Sequence, residues 1–185
     1  TQTSRGLGDV YKRQEYVQAM FEKSIKAIRD NDKVLLNRIR AEDNLVDKIF
    51  KNIKLFMVTL SKEEMTPDEA DRYIQILTFS TNLEYVGDII DKNLMEIAEK
   101  KIKKSEQFSD AGMKEIEEFH KTVLANMQLA QNIFMLQDTE LARQLVEEKK
   151  HVREAVKETS DKHFKRLSDG LASSHATSAM HMDIV

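Results

Sequence analysis

Apolar residues recur at alternating spacings of four and three between Leu35 and Leu60. This spacing puts the side chains along one side of an α-helix and is typical of a seam between packed helices. The seam positions are Leu35, Ile39, Glu42, Val46, Ile49, Ile53, Phe56 and Leu60. We therefore predict a long helix over residues 32–61. Glu42 lies inside the seam, and because an unpaired buried carboxylate is costly, it should have a partner such as a lysine, a shifted pKa or access to water.

Turn-forming residues are scarce throughout the chain. The 185 residues include five glycines, one proline and no cysteine, while 33% are charged and 41% hydrophobic. Sheets and loop-rich folds need more turn residues, so the composition favours an all-α, up-down helical bundle. The absence of cysteine excludes disulfides and thiolate metal sites and is in keeping with a cytoplasmic domain.

Charge and hydropathy narrow the function classes further. The 29 basic and 32 acidic residues are interleaved and leave a net charge of -3, so no basic stripe is present and we expect no nucleic-acid partner. No run of about 18 apolar residues predicts a membrane span, and no signal peptide starts the chain. Because the chain begins at Thr1 and stops at Val185 inside an apolar-periodic stretch, we expect a soluble piece of a longer protein.

The first fourteen residues, TQTSRGLGDVYKRQ, show no helical periodicity and look like translated sequencing-adapter sequence. We leave residues 1–14 out of the predicted fold as a non-native leader. Gly6 and Gly8 within this leader are not a phosphate loop, because a preceding strand and a third glycine are missing.

The remaining sequence predicts six helical segments arranged as an internal repeat. The segments cover roughly residues 15–30, 32–61, 67–104, a stretch from 109, 138–168 and a stretch from 173. A shift of 106 positions places Asp138 on Asp32, Leu141 on Leu35, Leu145 on Ile39, Glu148 on Glu42 and Val152 on Val46. Heptad similarity alone could produce this match, but the shared acid argues for a repeat. We predict a first three-helix unit over 15–104 and a second, C-terminally truncated unit over 105–185.

Acidic residues gather around the third predicted helix. Glu84, Asp88 and Asp91 fall within roughly 60° of one another at about 100° per residue. Gly87 beside them costs about 1 kcal/mol relative to alanine, which favours close approach of a backbone or ligand. Hard oxygen ligands suit magnesium, calcium, manganese or iron, and the neighbouring helix could add Glu42, Asp43 and Asp47. A solvated polar face with an incidental glycine remains the alternative.

The histidines suggest other sites that we find weaker. His120 lies on an apolar face without a metal partner four residues away, so we predict a packed or hydrogen-bonded core residue. His151 and His163 fall on a charged helix. Ser173, Ser174, His175, His181 and Asp183 lack the strand and oxyanion glycine that a catalytic triad requires, and we predict helix-capping and surface roles for them. A di-metal carboxylate enzyme would need paired Glu-x-x-His motifs, of which Glu117 and His120 supply only one.

The segment from Leu83 to Leu94, LEYVGDIIDKNL, resembles the signature of the PhoU family, an acid-xxx-Asp motif in an LExxGD context. The stretches IIDKNLMEIAEKKI, FHKTVLANMQLA and SSHATSAMHMDIV resemble the PhoU-like cytoplasmic tail of bacterial sodium/phosphate cotransporters. The resemblance covers most of residues 15–185 and implies two three-helix repeats whose motifs bind multinuclear metal clusters. Glu84 and Asp88 match the motif. Lys149, Lys150 and Arg153 stand near the positions equivalent to Asp43 and Asp47 in the second repeat.

The resemblance implies a regulatory, non-enzymatic role in phosphate transport. The expected setting is the cytoplasmic side of the inner membrane, with a transporter domain of the same chain or a phosphate transporter complex as partner, and a homodimer is compatible with it. The expected ligand is a divalent or ferric metal ion, without distinction among iron, magnesium, manganese, calcium and zinc. The alternative is a free-standing PhoU-type regulator of a phosphate uptake system and its sensor kinase.

Overall fold

The computed structural model describes residues 2–170 and 175–185, with residues 2–5 through their backbone only. All regular structure in these ranges is helical, which confirms the predicted all-α fold class. The helices are α1 (Gln2–Asp30), α2 (Lys33–Leu60), α3 (Pro67–Asp88), a π-helical segment (Ile89–Leu94), α4 (Met95–Lys103), α5 (Asp110–Leu136), α6 (Thr139–Ser168) and α7 (Ser178–Ile184). No helix in the described ranges is long and apolar enough to cross a bilayer. Ser173 and Ser174, considered above for a triad, lie outside them.

The first helix begins at Gln2, so the predicted start near residue 15 was wrong. Val10, Arg13, Val17 and Met20 are all fully buried, and their spacing of three, four and three continues one buried face through the segment that the sequence analysis set aside. The two glycines hid this periodicity. Residues 2–14 therefore take part in the fold, while their origin as a leader stays a prediction.

The connections between α1 and α2 and between α5 and α6 are built alike. Asn31 and Gln137 both adopt left-handed backbone conformations, with φ of 52° and 54°. The Asp32 and Asp138 carboxylates then accept hydrogen bonds from first-turn N–H groups of α2 and α6, as N-cap residues do. The two connections coincide under the shift of 106 positions found in the sequence.

The buried stripe of α2 lies one position away from much of the predicted seam. Its buried residues are Leu36, Ile39, Asp43, Val46, Ile53 and Met57. The acid that faces the protein interior is therefore Asp43 rather than Glu42. Apolar residues at both 35 and 36 and at both 56 and 57 fit either stripe, so the pattern alone could not choose between them.

The third predicted helix is interrupted directly after Asp88. Thr66 and Glu69 form a capping box that starts α3, with Pro67 in the first turn. A π-helical turn then occupies Ile89–Leu94 before α-helical geometry resumes in α4. Such wide turns carry an extra residue and occur often at functional sites. The predicted helix to about residue 104 is therefore present, with a π-helical turn at Ile89–Leu94 that its apolar spacing did not indicate.

α1 lies at the centre of the molecule and packs against α2, α3, α4 and α5, whereas the long α6 packs mainly on α5. Aromatic contacts join α5 to α1 and to α3. His120 of α5 stacks on Phe21 of α1 with centroids 4.2 Å apart, and Phe134 of α5 stacks on Phe79 of α3 at 4.1 Å. α3, which carries Glu84 and Asp88, also packs directly against α2.

Candidate metal centre

Asp43 is the most deeply placed acid of the predicted site. It is 6% exposed, and a Cβ added to Gly87 would lie 3.1 Å from its Oδ1 and 3.8 Å from Val46 Cγ1. The absence of a side chain at Gly87 thus lets α3 approach the Asp43 carboxylate, as the sequence analysis expected of this glycine. Burial raises the pKa of Asp43 to about 6, reinforced by the negative charges of Asp47, Asp91 and Asp88.

Two cations, the exposed Lys92 and the partly buried Arg40, pair with the neighbouring acids. Lys92 Nζ lies 2.7 Å from Asp88 Oδ1, one helical turn away, and this hydrogen bond raises the pKa of Lys92. Arg40 Nε lies 3.7 Å from Asp91 Oδ1, and the same guanidinium contacts Glu99 at 3.3 Å. Burial raises the pKa of Asp91, and the charge of Arg40 opposes that rise.

Arg13 is a buried cation that the sequence analysis missed, because residues 1–14 were set aside. Its guanidinium is fully buried over the Phe50 ring, 4.3 Å from the centroid. Nη1 donates to the carbonyl oxygen and hydroxyl of Ser80 at 2.9 and 3.2 Å. Burial lowers the pKa of Arg13 to about 10, while the charge of Glu84 and then those of Asp47, Asp43 and Asp88 favour its protonated form.

The acid that the two repeats have in common does not mark a shared site. Glu42 is paired with Lys23 of α1 at 2.7 Å, which is the lysine pairing considered above. Glu148 is partly exposed on α6 and lies 3.6 Å from His151 Nδ1. Neither glutamate faces the acids of α3 and the π segment in the way that Asp43 does.

The structure therefore places Asp47, Asp88 and Asp91 close enough to Asp43 for their charges to raise its pKa. Glu84 lies close enough to Arg13 for its charge to favour the protonated guanidinium. Among the residues that the structure describes, no group of three or more histidine or acidic side chains has a geometry that could hold a metal ion. The donor chemistry suits a hard cation, but Lys92 and Arg40 occupy the carboxylates as they are placed. Metal binding here stays a prediction.

The histidines divide differently from the prediction. His120 Nε2 lies 2.7 Å from the Phe21 carbonyl oxygen in a half-buried stack, as expected of a core residue. His181 was predicted to have a capping or surface role and His163 to lie on a charged helix, but each is 1% exposed. The neighbours of His163 on α6 are largely charged, so the docking of α7 buries its ring, whereas His181 is flanked by Met180 and Met182. Glu117, considered for a di-metal site, instead pairs with Arg29 at 3.2 Å.

An apolar groove of about 510 Å³ lies elsewhere, between α3, α5 and the start of α6. Its walls include Phe79, Ile133 and Leu145, and Arg72 lies at its edge. The groove contains none of the predicted site residues.

Comparison with known proteins identifies the domain. Residues 11–99 match the family model described as "PhoU domain". The chain is 31% identical over 140 residues to the proteins named "Putative inorganic phosphate export protein YjbB" of Salmonella typhimurium strain LT2 and of Escherichia coli strain K12. In both cases the match covers 76% of this chain and 26% of the relative. The chain thus spans about a quarter of the length of these curated relatives.

A solved structure gives the fold of nearly the whole chain. The crystal structure of PhoU from Pseudomonas aeruginosa superimposes with a TM-score of 0.87, covering 99% of this chain and 86% of that one at 18% identity. At this identity the likeness concerns the fold. Together with the family match, it establishes that this helical chain has the PhoU fold and contains a PhoU domain over residues 11–99.

Proposed function

We propose that this chain is a regulatory PhoU-type domain that acts in phosphate transport and homeostasis by binding a cation on the acidic face between α2 and the π segment. The observation that carries the proposal is Asp43, a buried carboxylate with a raised pKa against Gly87, at the centre of the acids Asp47, Asp88 and Asp91. Burying a carboxylate among like charges costs free energy, and a bound cation would recover part of it. The role is regulatory and not catalytic.

The residues proposed to hold the ion are Asp43, Asp47, Glu84, Asp88 and Asp91. Glu42 is a lesser candidate because Lys23 already pairs with it. A divalent or ferric ion would neutralise the carboxylates and hold α2 and the π segment together. Lys92 must then leave Asp88, and its largely exposed side chain makes that movement inexpensive, since an exposed ion pair contributes about 0–1 kcal/mol.

Metal binding is tested by elemental analysis and thermal denaturation of the chain after refolding with iron, magnesium, manganese, calcium or zinc. We expect one of these ions to bind in stoichiometric amount and to raise the melting temperature, because a ligand that binds only the folded state stabilises it. Asp88→Ala and Asp43→Asn should abolish both effects. Glu158→Gln, which removes an exposed acid of α6, is the matched control and should retain them.

Substoichiometric metal in every sample, or equal metal binding by wild type and Asp88→Ala, would remove the metal from the proposal. The regulatory role is tested separately in cells. There, the parent protein carrying Asp88→Ala should still move phosphate but lose the dependence of that flux on metal or phosphate supply.

Within this role we propose that the chain is a cytoplasmic domain of a sodium-dependent phosphate cotransporter and lies on the cytoplasmic side of the inner membrane. The match to about a quarter of much longer relatives named for phosphate export supports a domain within a longer chain. The transporter part of that chain, or a phosphate transporter complex, would be its partner.

The second candidate is a free-standing regulator of a phosphate uptake system and its sensor kinase. It is favoured by the superposition over 86% of PhoU from Pseudomonas aeruginosa. The reading frame upstream of Glu15 separates the two settings. Several hydrophobic spans there would support the cotransporter, and an initiating methionine shortly before Glu15 would support the regulator. Sedimentation of the purified chain tests the expected homodimer.

A further inference from the structure

Two buried histidines join α6 to α7. His163 of α6 and His181 of α7 are each 1% exposed. Their rings stack with centroids 4.4 Å apart and planes inclined by 10°. Phe108 contacts the edge of the His181 ring at a centroid distance of 6.2 Å. The stack is therefore a principal contact through which α7 docks on α6.

Hydrogen bonding identifies His163 as a neutral imidazole. The Arg166 guanidinium Nη2 lies 3.4 Å from His163 Nδ1. An arginine can only donate, so Nδ1 accepts and carries no proton. Nε2 then carries the proton and donates to Ser178 Oγ of α7 at 2.9 Å. A second proton on His163 would place two N–H groups against each other at Nδ1.

His181 lies in an equally restrictive environment. A Cβ at Gly112 of α5 would be 3.4 Å from its Cδ2, so the missing side chain makes room for the ring. Neither ring nitrogen makes a hydrogen bond of ordinary geometry among the described residues, although the Gly112 backbone is close enough to favour the protonated ring. Glu115 Oε2 of α5 lies 3.4 Å from Nε2, but the other oxygen of this carboxylate is already paired with Arg166.

We propose that the His163–His181 stack is an acid-sensitive latch, which holds α7 on α5 and α6 while both rings are neutral and releases α7 when they take up protons. The groups that face the two rings are Glu115, Arg166 and, near His163, His175. Glu115 balances the charge of Arg166. Two imidazolium rings would add two buried positive charges 4.4 Å apart with no further anion among the described residues to compensate them.

The direction of the pH effect follows from the two pKa values. Burial lowers the pKa of His163, and the charges of Arg166 and His175 act in the same sense. Burial also lowers the pKa of His181 to about 4, and the charges of His163 and Arg166 act in the same sense. The negative charge of Glu115 opposes both shifts without cancelling them. Released α7 would return the rings to ordinary values of about 6.5. Docking is therefore complete above about pH 6.5 and weakens as the pH falls toward about 4, by up to tenfold per pH unit for each histidine.

The experiment is hydrogen–deuterium exchange of α7 amides in the whole chain, corrected for intrinsic exchange rates, between about pH 7.5 and about pH 5. We expect protection of Ser178–Ile184 to fall by at least tenfold, while the centre of α1 keeps its protection. Unchanged protection of α7 relative to α1 over this range would overturn the proposal.

Three variants locate the effect. His181→Phe keeps the stacked ring and its contact with Phe108 without titrating, and His163→Gln keeps one donor and one acceptor. In each variant, the logarithm of the α7 protection factor should change between the two pH values by about half as much as in the wild type. His151→Gln removes an exposed histidine of the same helix and should behave as wild type. If His181→Phe undocks α7 at every pH, His163→Gln still decides, because wild-type pH dependence in that variant would exclude His163 from the latch.

Discussion

At the scale of single residues, the acidic face depends on a close approach between two helices. Gly87 leaves room for Asp43, and the resulting burial together with three neighbouring aspartates raises the pKa of that carboxylate to about 6. The pKa in the unfolded chain is near 3.8, so the folded state binds the proton more tightly. The contribution of Asp43 to stability is therefore greatest below about pH 3.8 and is lost as the pH rises through about 6.

Replacing Asp43 with asparagine should stabilise the metal-free protein at pH 7 by about 1–3 kcal/mol, because the buried charge is removed. The gain should disappear near pH 4, where the folded protein already carries a proton on Asp43. Urea denaturation at the two pH values, with a chelator present, measures the difference. Glu158→Gln should leave the free energy of unfolding unchanged within about 0.5 kcal/mol, and a destabilised Asp43→Asn would contradict the charge argument.

Alanine at Gly87 should not give the usual benefit of removing a helical glycine. The change gains about 1 kcal/mol of helix propensity, but the added Cβ would lie 3.1 Å from Oδ1 of Asp43, a side chain that is buried in the interface between α2 and α3. We expect a net loss of about 1 kcal/mol or more. Gly8→Ala in α1 is the control, since nothing lies within 4 Å of its Cβ position and stability should rise or stay equal. Chemical denaturation of both variants makes the comparison.

At the scale of elements, the π segment decides how the acids of the third predicted helix are presented. It follows Gly87 and Asp88 directly and carries Asp91 within 3.7 Å of Arg40. An α-helix would have kept Asp91 in line with Glu84 and Asp88, as predicted from about 100° per residue. The wide turn instead spreads the acids toward different cations while α4 continues to bury Met95, Ile97 and Ala98.

Deletion of Asn93, an exposed residue of the π segment, should therefore be tolerated. Removing one residue from a π turn restores the ordinary i to i−4 hydrogen bonding without rotating α4 out of the core. We expect cooperative unfolding and unchanged helical circular dichroism, with loss of any metal binding that involves Asp91.

Deletion of Asn44 is the contrasting case, because it rotates the later buried residues of α2 by about 100°. That variant should unfold or lose several kcal/mol of stability. Equal loss of stability in both deletions would show that the π segment has no spare residue.

At the scale of the whole molecule, Lys101 joins the two halves of the chain. It is fully buried, and its Nζ donates to the Ile28 carbonyl oxygen, Asn31 Oδ1 and Gln107 Oε1 at 2.7, 2.7 and 3.0 Å. These acceptors lie at the end of α1, in the turn to α2 and in the connection before α5. One side chain thus fixes the end of α1 and the turn to α2 to the connection that leads into α5.

Replacing Lys101 with methionine should cost about 2–5 kcal/mol, because it leaves buried acceptors without a donor. Lys103→Met on the same helix removes an exposed lysine paired with Glu99 and should cost no more than about 1 kcal/mol. Equilibrium urea unfolding compares the two variants. A similar small loss in both would show that the acceptors near Lys101 find other partners.

Local features of the sequence specify the helical architecture. The local features are the apolar spacing, the scarcity of glycine and proline, and the aspartates Asp32 and Asp138 at helix starts. The first residues of α2 and α6 could therefore be predicted closely. The acidic patch and the close approach at Gly87 were also predictable, since a glycine in the middle of a helix is unfavourable unless a neighbouring group needs the space. The N-terminal part of α1 was missed because Gly6 and Gly8 interrupt its apolar spacing before Val10.

Which charged and polar side chains are buried depends on tertiary packing. Glu42 and Asp43 are adjacent acids on one helix, and the packing of α1 and α3 gives the first a lysine partner and buries the second. His163 carries no local sign of burial, because the pocket that it shares with His181 exists only when α7 meets α5 and α6. Burial and pairing depend on side chains far apart in sequence, and it is these long-range contacts that set the charge state of a carboxylate or an imidazole.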